Sequence, residues 1–579
     1  MKKVLEYIKP YSIYIIIAMV LIFLNAMANL YLPTLMSDIV NNGVIAGDLD
    51  NVWVYGKKMI IATLFAMICM VISTFIASRV AAGLAKDLRF GIFKKVQEFS
   101  LNEFNKISTS SLITRTTNDV TQIQNLTLMM IRMIILAPMM CIGGIIMALS
   151  KNIELSILFI VIIPLLLIII FFMARKIIPL FSILQTKIDR LNQIVREKLT
   201  GIRVIRAFGK EEYESKRYDV ANKDIYDVGI KATYIMAGLM PIIMFVINSS
   251  TVLVLWLGSD LISNGILQIG DMMAFMQYAM QVFFSILMVT MIFMLIPKAI
   301  VSAKRINEVL VLDSSVVDNF NDITDIPIKG SVQFKNVSFA YDDANENVLN
   351  NINFSIKKGE TLAIIGGTGS GKTSVINLIL RFYDVTEGEI KIGGINIKDM
   401  SLNSLRNMIG YVPQKTNLFS GTIADNIRYG KQDATDIEVI EASKVSESYS
   451  FISKLDNKFD SVVSQGGTNY SGGQKQRISI ARAIVKDPDI YIFDDSFSAL
   501  DYATDKKVRE NLNKITTDKT IIIVSQRVSS IMDADKILLI DNGNIVAQGT
   551  HHELLKNSEE YKEIVMSQIT EEEAENGGK

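Results

Sequence analysis

The chain has 579 residues, 50% of them apolar, and its 59 basic and 59 acidic side chains cancel. That length excludes a small disulfide-stapled module, and the absence of a basic surplus means no nucleic-acid partner is expected. Its two cysteines, Cys69 and Cys141, fall inside apolar stretches without the paired spacing of a zinc site, so both read as core or lipid-facing residues.

The apolar residues crowd before residue 300, predicting a membrane portion followed by an α/β portion. At the start, Lys2, Lys3, the apolar run Tyr14–Leu24 and Ala26-Met27-Ala28 imitate a cleavable signal peptide. The run continues to Leu32, however, a length that suits a spanning helix, so no cleavage is expected. Six segments can cross a bilayer of about 30 Å: Ser12–Leu32, Met59–Ala77, Leu126–Leu149, Leu155–Met173, Tyr234–Leu257 and Met272–Ile296. The links after the second and fourth are long, polar and compatible with helix, which predicts helices reaching far past the membrane on one side. Basic residues gather at Lys2, Lys3 and Lys9, at Arg79, Lys86, Arg89, Lys94 and Lys95, and at Arg175 and Lys176. By the positive-inside rule those ends face the cytoplasm; Lys57 and Lys58 are the exception. The last span ends at Lys298, Lys304 and Arg305, which places everything after it in the cytoplasm. Ionisable residues are nearly absent from the spans, which argues against a proton relay or an ion pore. Asn25, Asn29, Asn248, Gln277 and Gln281 read first as interhelical hydrogen-bonding groups and second as substrate contacts, and the many methionines suit a pliable apolar cavity or ordinary packing.

Residues 311–328, with Asp313, Asp318, Asp322 and Asp325, read as a linker between a transmembrane domain, 1–310, and an α/β domain, 329–570. Within the latter, Gly366-Gly367-Thr368-Gly369-Ser370-Gly371-Lys372-Thr373 fits G-x-x-x-x-G-K-[ST] at every specified position, between an apolar strand-like run and a helix. The glycines turn backbone N–H groups toward phosphate oxygens. Lys372 reaches the β/γ-phosphates and Thr373 can hold Mg²⁺, so ATP and Mg²⁺ are the expected cofactors. Farther on, Ile490–Asp494 is an apolar strand ending in a carboxylate able to hold Mg²⁺ through water. Between them, Ser471-Gly472-Gly473-Gln474 stands ahead of a helix as a second phosphate cradle. One domain cannot readily fold both cradles around one γ-phosphate, so two domains meeting head to tail, each completing the other's site in trans, is the economical arrangement. The tail 571–579 is acidic, has no apolar face and is expected to be disordered.

Over nearly its whole length the chain resembles an ATP-binding cassette (ABC) exporter half-transporter: an all-α six-helix transmembrane domain followed by a P-loop nucleotide-binding domain. The resemblance implies that Tyr341 stacks on adenine and that Gln414 links Mg²⁺ and the attacking water to the membrane half. It further makes Ser471–Gln474 the family signature and Ser498–Asp501 the loop that communicates across a dimer. Thr109–Arg115 and Gly201–Phe208 look like the regions around the coupling helices.

Three positions depart from the family pattern. Asp495 stands where a catalytic Glu is usual, Gln526 where the switch histidine is usual, and Gln465 where many exporters have Glu. The two histidines, His551 and His552, lie near the C-terminus and read as surface or capping residues. An amide cannot share charge as imidazolium does. With an unaltered phosphate loop and signature, this pattern resembles the degenerate-site subunit of heterodimeric bacterial multidrug exporters. It implies a multi-pass protein of the cell membrane, among membrane lipids, paired with a second half-transporter and moving an amphipathic small molecule, lipid or peptide outward. The alternatives are a homodimeric lipid or peptide exporter and an ATP-gated channel or regulatory membrane protein.

Overall fold

The computed structural model describes residues 2–319, 329–342, 344, 346–570 and 574. Residues 320–328, with Asp322 and Asp325, and the acidic tail apart from Ala574 lie outside them. The chain forms two compact units, Met1–Lys95 with Ser110–Val311, and Val96–Thr109 with Leu312–Lys579.

The first unit is all helix. Its main elements are α1 (Ser12–Asp38), α2 (Leu49–Gln97), then, past a short helix of the second unit, α3 (Leu101–Lys106), the helices α4 (Val120–Lys151), α5 (Ile153–Thr200), α6 (Ile202–Ala207), α7 (Glu211–Ser263) and α8 (Ile269–Val311). Among the described residues, six helices are long and apolar enough to cross a membrane. Helix is the form that satisfies every backbone group internally in lipid. The three longest, α2, α5 and α7, have 49, 48 and 53 residues. At about 1.5 Å per residue they run to roughly 70–80 Å, more than twice the hydrocarbon thickness, as the long polar links predict.

Three of the five span amides hydrogen-bond. Asn25 Nδ2 donates to the Ala66 carbonyl at 2.7 Å, Gln281 Nε2 to the Asn29 carbonyl at 3.3 Å, and Asn29 Nδ2 to the Asn25 carbonyl at 2.9 Å. The first two join different helices, while Asn248 and Gln277 are exposed. Arg132 is the one Lys, Arg, Asp or Glu inside the predicted spans and is half-buried. Where α1, α4 and α8 meet, Lys151 Nζ lies 2.7 Å from Asp271, which also accepts from Ser37 Oγ at 2.7 Å. Cys69 is buried, Cys141 is half-buried, and neither is bonded to another cysteine.

The segment Thr109–Arg115 is helical. Thr109–Thr114 opens the long helix that continues through a π-helical turn, Arg115–Asp119, into α4. The separate short helix is α3. Ser100 caps it with Glu103 in a capping box, and extended backbone at Ile107 ends it. Gly201–Phe208 contains the short helix α6, with Gly209 in the left-handed region at φ 58° closing the turn.

The second unit is α/β. Strands β1 (Val332–Phe339), β2 (Leu349–Ile356), β4 (Glu387–Ile392) and β5 (Ile395–Asn396) form an antiparallel sheet ordered β2-β1-β4-β5. Strands β3 (Thr361–Ile365), β6 (Ile409–Val412), β7 (Ile490–Asp494), β8 (Thr520–Val524), β9 (Lys536–Asp541) and β10 (Asn544–Gly549) form a sheet ordered β10-β9-β3-β8-β7-β6. Every pairing in it is parallel except β9 with β10. Strands β7 and β8 are buried along their whole length, which explains their unbroken apolar runs. Helix α9 (Lys372–Ile379) follows β3. A helical insertion ending in α10 (Gly472–Ile484) separates β6 from β7, and α11 (Tyr502–Ile515) follows β7.

Residues 312–319 have no regular structure yet are tied to the second unit. Val316 is buried, Asp318 accepts from the Leu402 N–H at 2.8 Å, and Arg381 donates to the Val317 carbonyl at 3.0 Å. His551 corrects the surface reading: it is 2% exposed, with Nδ1 2.8 Å from the Tyr561 hydroxyl and Nε2 3.1 Å from the Ala574 carbonyl. Its place in the first turn of a helix pressed onto Tyr561 buries it; His552 is exposed.

Candidate nucleotide-binding site

In a parallel sheet, ligands gather beyond the carboxyl ends of the strands. Here the order β3-β8-β7-β6 sets four such ends side by side: β3 leads into the glycine-rich loop, β8 into Gln526, β7 into Asp494 and Asp495, and β6 into Gln414. Register brings Val524 opposite both Ile364 and Asp494. Residues scattered over more than a hundred positions of sequence thus meet on one edge.

The loop conformation requires glycine at two places. Gly366 has φ 158°, and a Cβ there would fall 2.0 Å from the Ile540 carbonyl oxygen. Gly371, at φ 104°, precedes α9 directly, and a Cβ would meet Leu349 at 2.7 Å. Lys372 is buried and its Nζ donates to the carbonyls of Gly366 at 2.9 Å and Gly367 at 2.5 Å, and to Ser370 Oγ at 3.3 Å. Burial pushes its ammonium down from the ordinary value, against the pull of Asp495 and Asp494. An anion in the loop would meet both this cation and the N-terminus of an eight-residue helix. Gly367, Thr368, Gly369 and the exposed Thr373 complete the loop.

Asp494 is 3% exposed, and burial, then the neighbouring Asp495, pushes its carboxyl up to about 6, with Lys372 opposing. The Asp494 carboxylate, the Thr373 hydroxyl and the Gln414 amide oxygen make an all-oxygen donor set, which fits Mg²⁺. Asp495 has φ 46°, a left-handed conformation uncommon outside glycine and best tolerated by Asp and Asn. Its N–H donates to the Val524 carbonyl at 2.8 Å and its Oδ2 accepts from Gln414 Nε2 at 3.2 Å. Gln526 is exposed, and its main-chain carbonyl accepts from Gln568 at 2.8 Å.

Tyr341 is half-buried. Its hydroxyl lies 2.9 Å from Ser374 Oγ on α9, and its ring meets Tyr383 edge-on at 5.2 Å. The signature stands apart from this constellation. Ser471 caps α10, its Oγ accepting from the Gln474 N–H while Gln474 Oε1 accepts from the Ser471 N–H. Ser471 and Gly472 are exposed, and a Cβ on Gly472 would touch nothing within 4 Å. Among the described residues no hydrogen bond joins Ser471–Gln474 to the glycine-rich loop. Sequence reasoning missed Asp342 and Tyr383, which bracket Tyr341; the aromatic pair Phe382-Tyr383 just beyond α9 was the available signal.

A phosphate-binding loop and a strand-end carboxylate on one parallel sheet, carried by a chain with six membrane-crossing helices, define a membrane transport ATPase. Residues 15–321 match the ABC transporter transmembrane region and residues 349–498 the ABC transporter family. The chain is 38% identical over 575 residues to the Bacillus subtilis (strain 168) protein YfiB, described as an uncharacterized ABC transporter ATP-binding protein, covering 99% of this chain and 100% of that one. It is 31% identical to YgaD of the same organism, a putative multidrug export ATP-binding/permease protein, over 97% of this chain and 98% of that one. The solved structure of a bacterial Atm1-family ABC exporter with ATP bound superimposes with a TM-score of 0.80 at 25% identity, covering 97% of this chain and 99% of that one. This chain belongs to the ABC transporter family and has the architecture of an exporter half-transporter, a multi-pass membrane protein with an ATP-binding domain.

Proposed function

We propose that this chain is one half of a heterodimeric exporter of amphipathic or apolar compounds, drug-like, lipid or peptide, in which its own ATP site hydrolyses poorly and its signature completes the partner's site. The observation that carries the reading is the pairing of Asp495 and Gln526 on the same sheet edge as an unaltered glycine-rich loop. Gly366–Lys372 would grip the phosphates, with Tyr341 against adenine. Mg²⁺, held by Thr373, Gln414 and Asp494, would neutralise charge on the phosphate oxygens. Asp495 would orient the attacking water from a carboxylate one methylene shorter than Glu. Gln526 would offer an uncharged amide in place of imidazolium.

The capped N-terminus of α10 supports action in trans by Ser471, Gly472, Gly473 and Gln474: Ser471 and Gly472 are exposed there. The basic clusters at the span ends support a cytoplasmic N-terminus and nucleotide-binding domain in the cell membrane. The nearly uncharged spans support an amphipathic or apolar cargo, and YgaD is described as a putative multidrug export protein. Residues 1–310 would supply the pathway and 329–570 the ATPase. Dye efflux from cells expressing this chain with its partner should require ATP and vanish when the partner's catalytic Glu is disabled. Accelerated uptake instead of efflux would overturn the exporter reading, and purification of a native complex holding only this chain would overturn the heterodimer.

A further inference from the structure

The segment after β8 is held by a side chain from the far end of the second unit. Gln568 Nε2 donates to the Gln526 carbonyl at 2.8 Å, and Gln568 Oε1 accepts from the Val528 N–H at 2.9 Å. Those two backbone groups flank Arg527, which is extended at φ −97° and ψ 121°. In extended chain the carbonyl before a residue and the N–H after it point to the same side, so one carboxamide bonds both, as a peptide group of a neighbouring strand would. A carboxamide carries the donor and the acceptor this needs, whereas a carboxylate only accepts and an ammonium only donates. The segment has two further ties: the Ser525 N–H donates to the Ile364 carbonyl at 3.2 Å, just ahead of the glycine-rich loop, and Arg527 Nη2 donates to the Ser498 carbonyl at 3.0 Å. The Gln526 side chain, by contrast, is exposed and makes no hydrogen bond among the described residues. Gln568 itself is placed by two helices, α12 (His551–Asn557) and α13 (Glu559–Met566). Tyr561 and Val565 of α13 are buried in one apolar cluster with Val528 and Ile531, the Tyr561 hydroxyl lies 2.8 Å from His551 Nδ1, and the Gln568 N–H donates to the Val565 carbonyl at 3.0 Å. The buried histidine therefore fixes the helix that presents Gln568.

We propose that Gln568 is a positioning residue for the nucleotide site: its carboxamide, acting as a surrogate peptide group, holds the segment after β8 so that the side chain at 526 stays on the sheet edge, and it thereby sets the site's preference for ATP over ADP. This role rests on the reading of position 526 as the switch position, beside the terminal phosphate of ATP. ADP lacks that phosphate, so a loosened 526 weakens ATP and leaves ADP bound as before. Removing the carboxamide takes two hydrogen bonds from one short segment and leaves the Val528 N–H without its acceptor.

The full-length chain, purified with its partner in lipid, serves for two measurements. Backbone hydrogen exchange over Ser525–Ile531, followed by mass spectrometry without nucleotide, reads the clamp itself. Competition of ATP and of ADP against azido-ATP photolabelling, scored on this chain alone and in the cold, reads the two affinities of its own site. Gln568→Met keeps the length of the side chain and removes both bonds. It should speed exchange over Ser525–Ile531 by about fivefold or more, the effect of losing one ordinary hydrogen bond or two, and lower the ATP-over-ADP affinity ratio by at least about fivefold, with ADP affinity unchanged. Placed on Gln526→Ala, the same substitution should change the ratio by less than about twofold, because a positioning residue acts only through the side chain it positions. Gln568→Glu, isosteric with the native residue but unable to donate when ionised, keeps the test open if the methionine variant misfolds and should move both readouts the same way. Unchanged exchange, equal loss of ATP and ADP affinity, or a loss that adds to that of Gln526→Ala overturns the role. Failure of the switch reading shows separately, as an unchanged ratio in Gln526→Ala alone, while exchange without nucleotide still judges the clamp.

Discussion

Replacing Asp495 tests the central claim about turnover. The side chain sits in the left-handed region after β7, its N–H bonded to Val524 and its Oδ2 to Gln414, so its carboxylate has little freedom to advance toward a γ-phosphate. Relative to Glu it is short by one C–C bond, about 1.5 Å. A misplacement of about 1 Å in a positioned reactant costs on the order of 10²-fold, and loss of a positioned general base about 10²–10⁴-fold. Asp495→Glu should therefore raise single-turnover hydrolysis at this site by about 10²-fold, and Asp495→Glu with Gln526→His further still, provided the partner's signature is competent. Asp495→Asn should leave most steady-state ATPase activity of the complex unchanged, whereas Gly472→Asp, which loads the exposed start of α10 with a carboxylate, should suppress it strongly. The assay is steady-state and single-turnover phosphate release from the purified complex across these variants. If Asp495→Asn abolishes activity as fully as the signature variant, Asp495 is a working catalytic base and the reasoning fails.

Lys372→Ala should sharply weaken ATP binding at this chain's own loop, because it removes the one buried cation among the glycine-rich residues; labelled-nucleotide stoichiometry checks it, and unchanged affinity would refute the assignment. Gly366→Ala should destabilise the second unit by more than about 3 kcal/mol, since its Cβ would lie 2.0 Å from the Ile540 carbonyl in a backbone conformation that only glycine adopts readily; chemical denaturation monitored on the purified chain measures it. If Asp494 holds Mg²⁺ as proposed, Mg²⁺ affinity should be pH-dependent. With its carboxyl raised to about 6 against an ordinary 3.8, it takes up a proton in the nucleotide-free fold as pH falls through 6, and its ionisation costs the fold stability progressively as pH rises from about 3.8 to 6. Mg²⁺ needs the carboxylate, so magnesium–nucleotide affinity should fall as pH drops below about 6, with proton uptake on release, and Asp494→Asn should remove that dependence; calorimetry in buffers of different ionisation enthalpy reads both.

Much of this protein follows from local chemistry alone. Twenty-residue apolar runs must become helices in lipid, since no other local form satisfies the backbone there. A strand, a G-x-x-x-x-G-K-T loop and a helix in succession define a phosphate site, because all its donors lie within eight residues. Asp495 and Gln526 were legible as departures for the same reason: each sits beside a short, recognisable strand. What local pattern could not decide is which separate segments meet. Only the pairing order β3-β8-β7-β6 sets Gln414, Asp494, Asp495 and Gln526 on one edge. Only packing buries His551 against Tyr561, although its neighbours along the chain are polar. The short helix Leu101–Lys106 depends on more than local pattern: a capping box starts it, and Asp342 and Tyr383, more than two hundred residues away, receive its side chains. Hydrogen bonds between distant segments carry no sequence period, so their partners are settled only when the chain has folded.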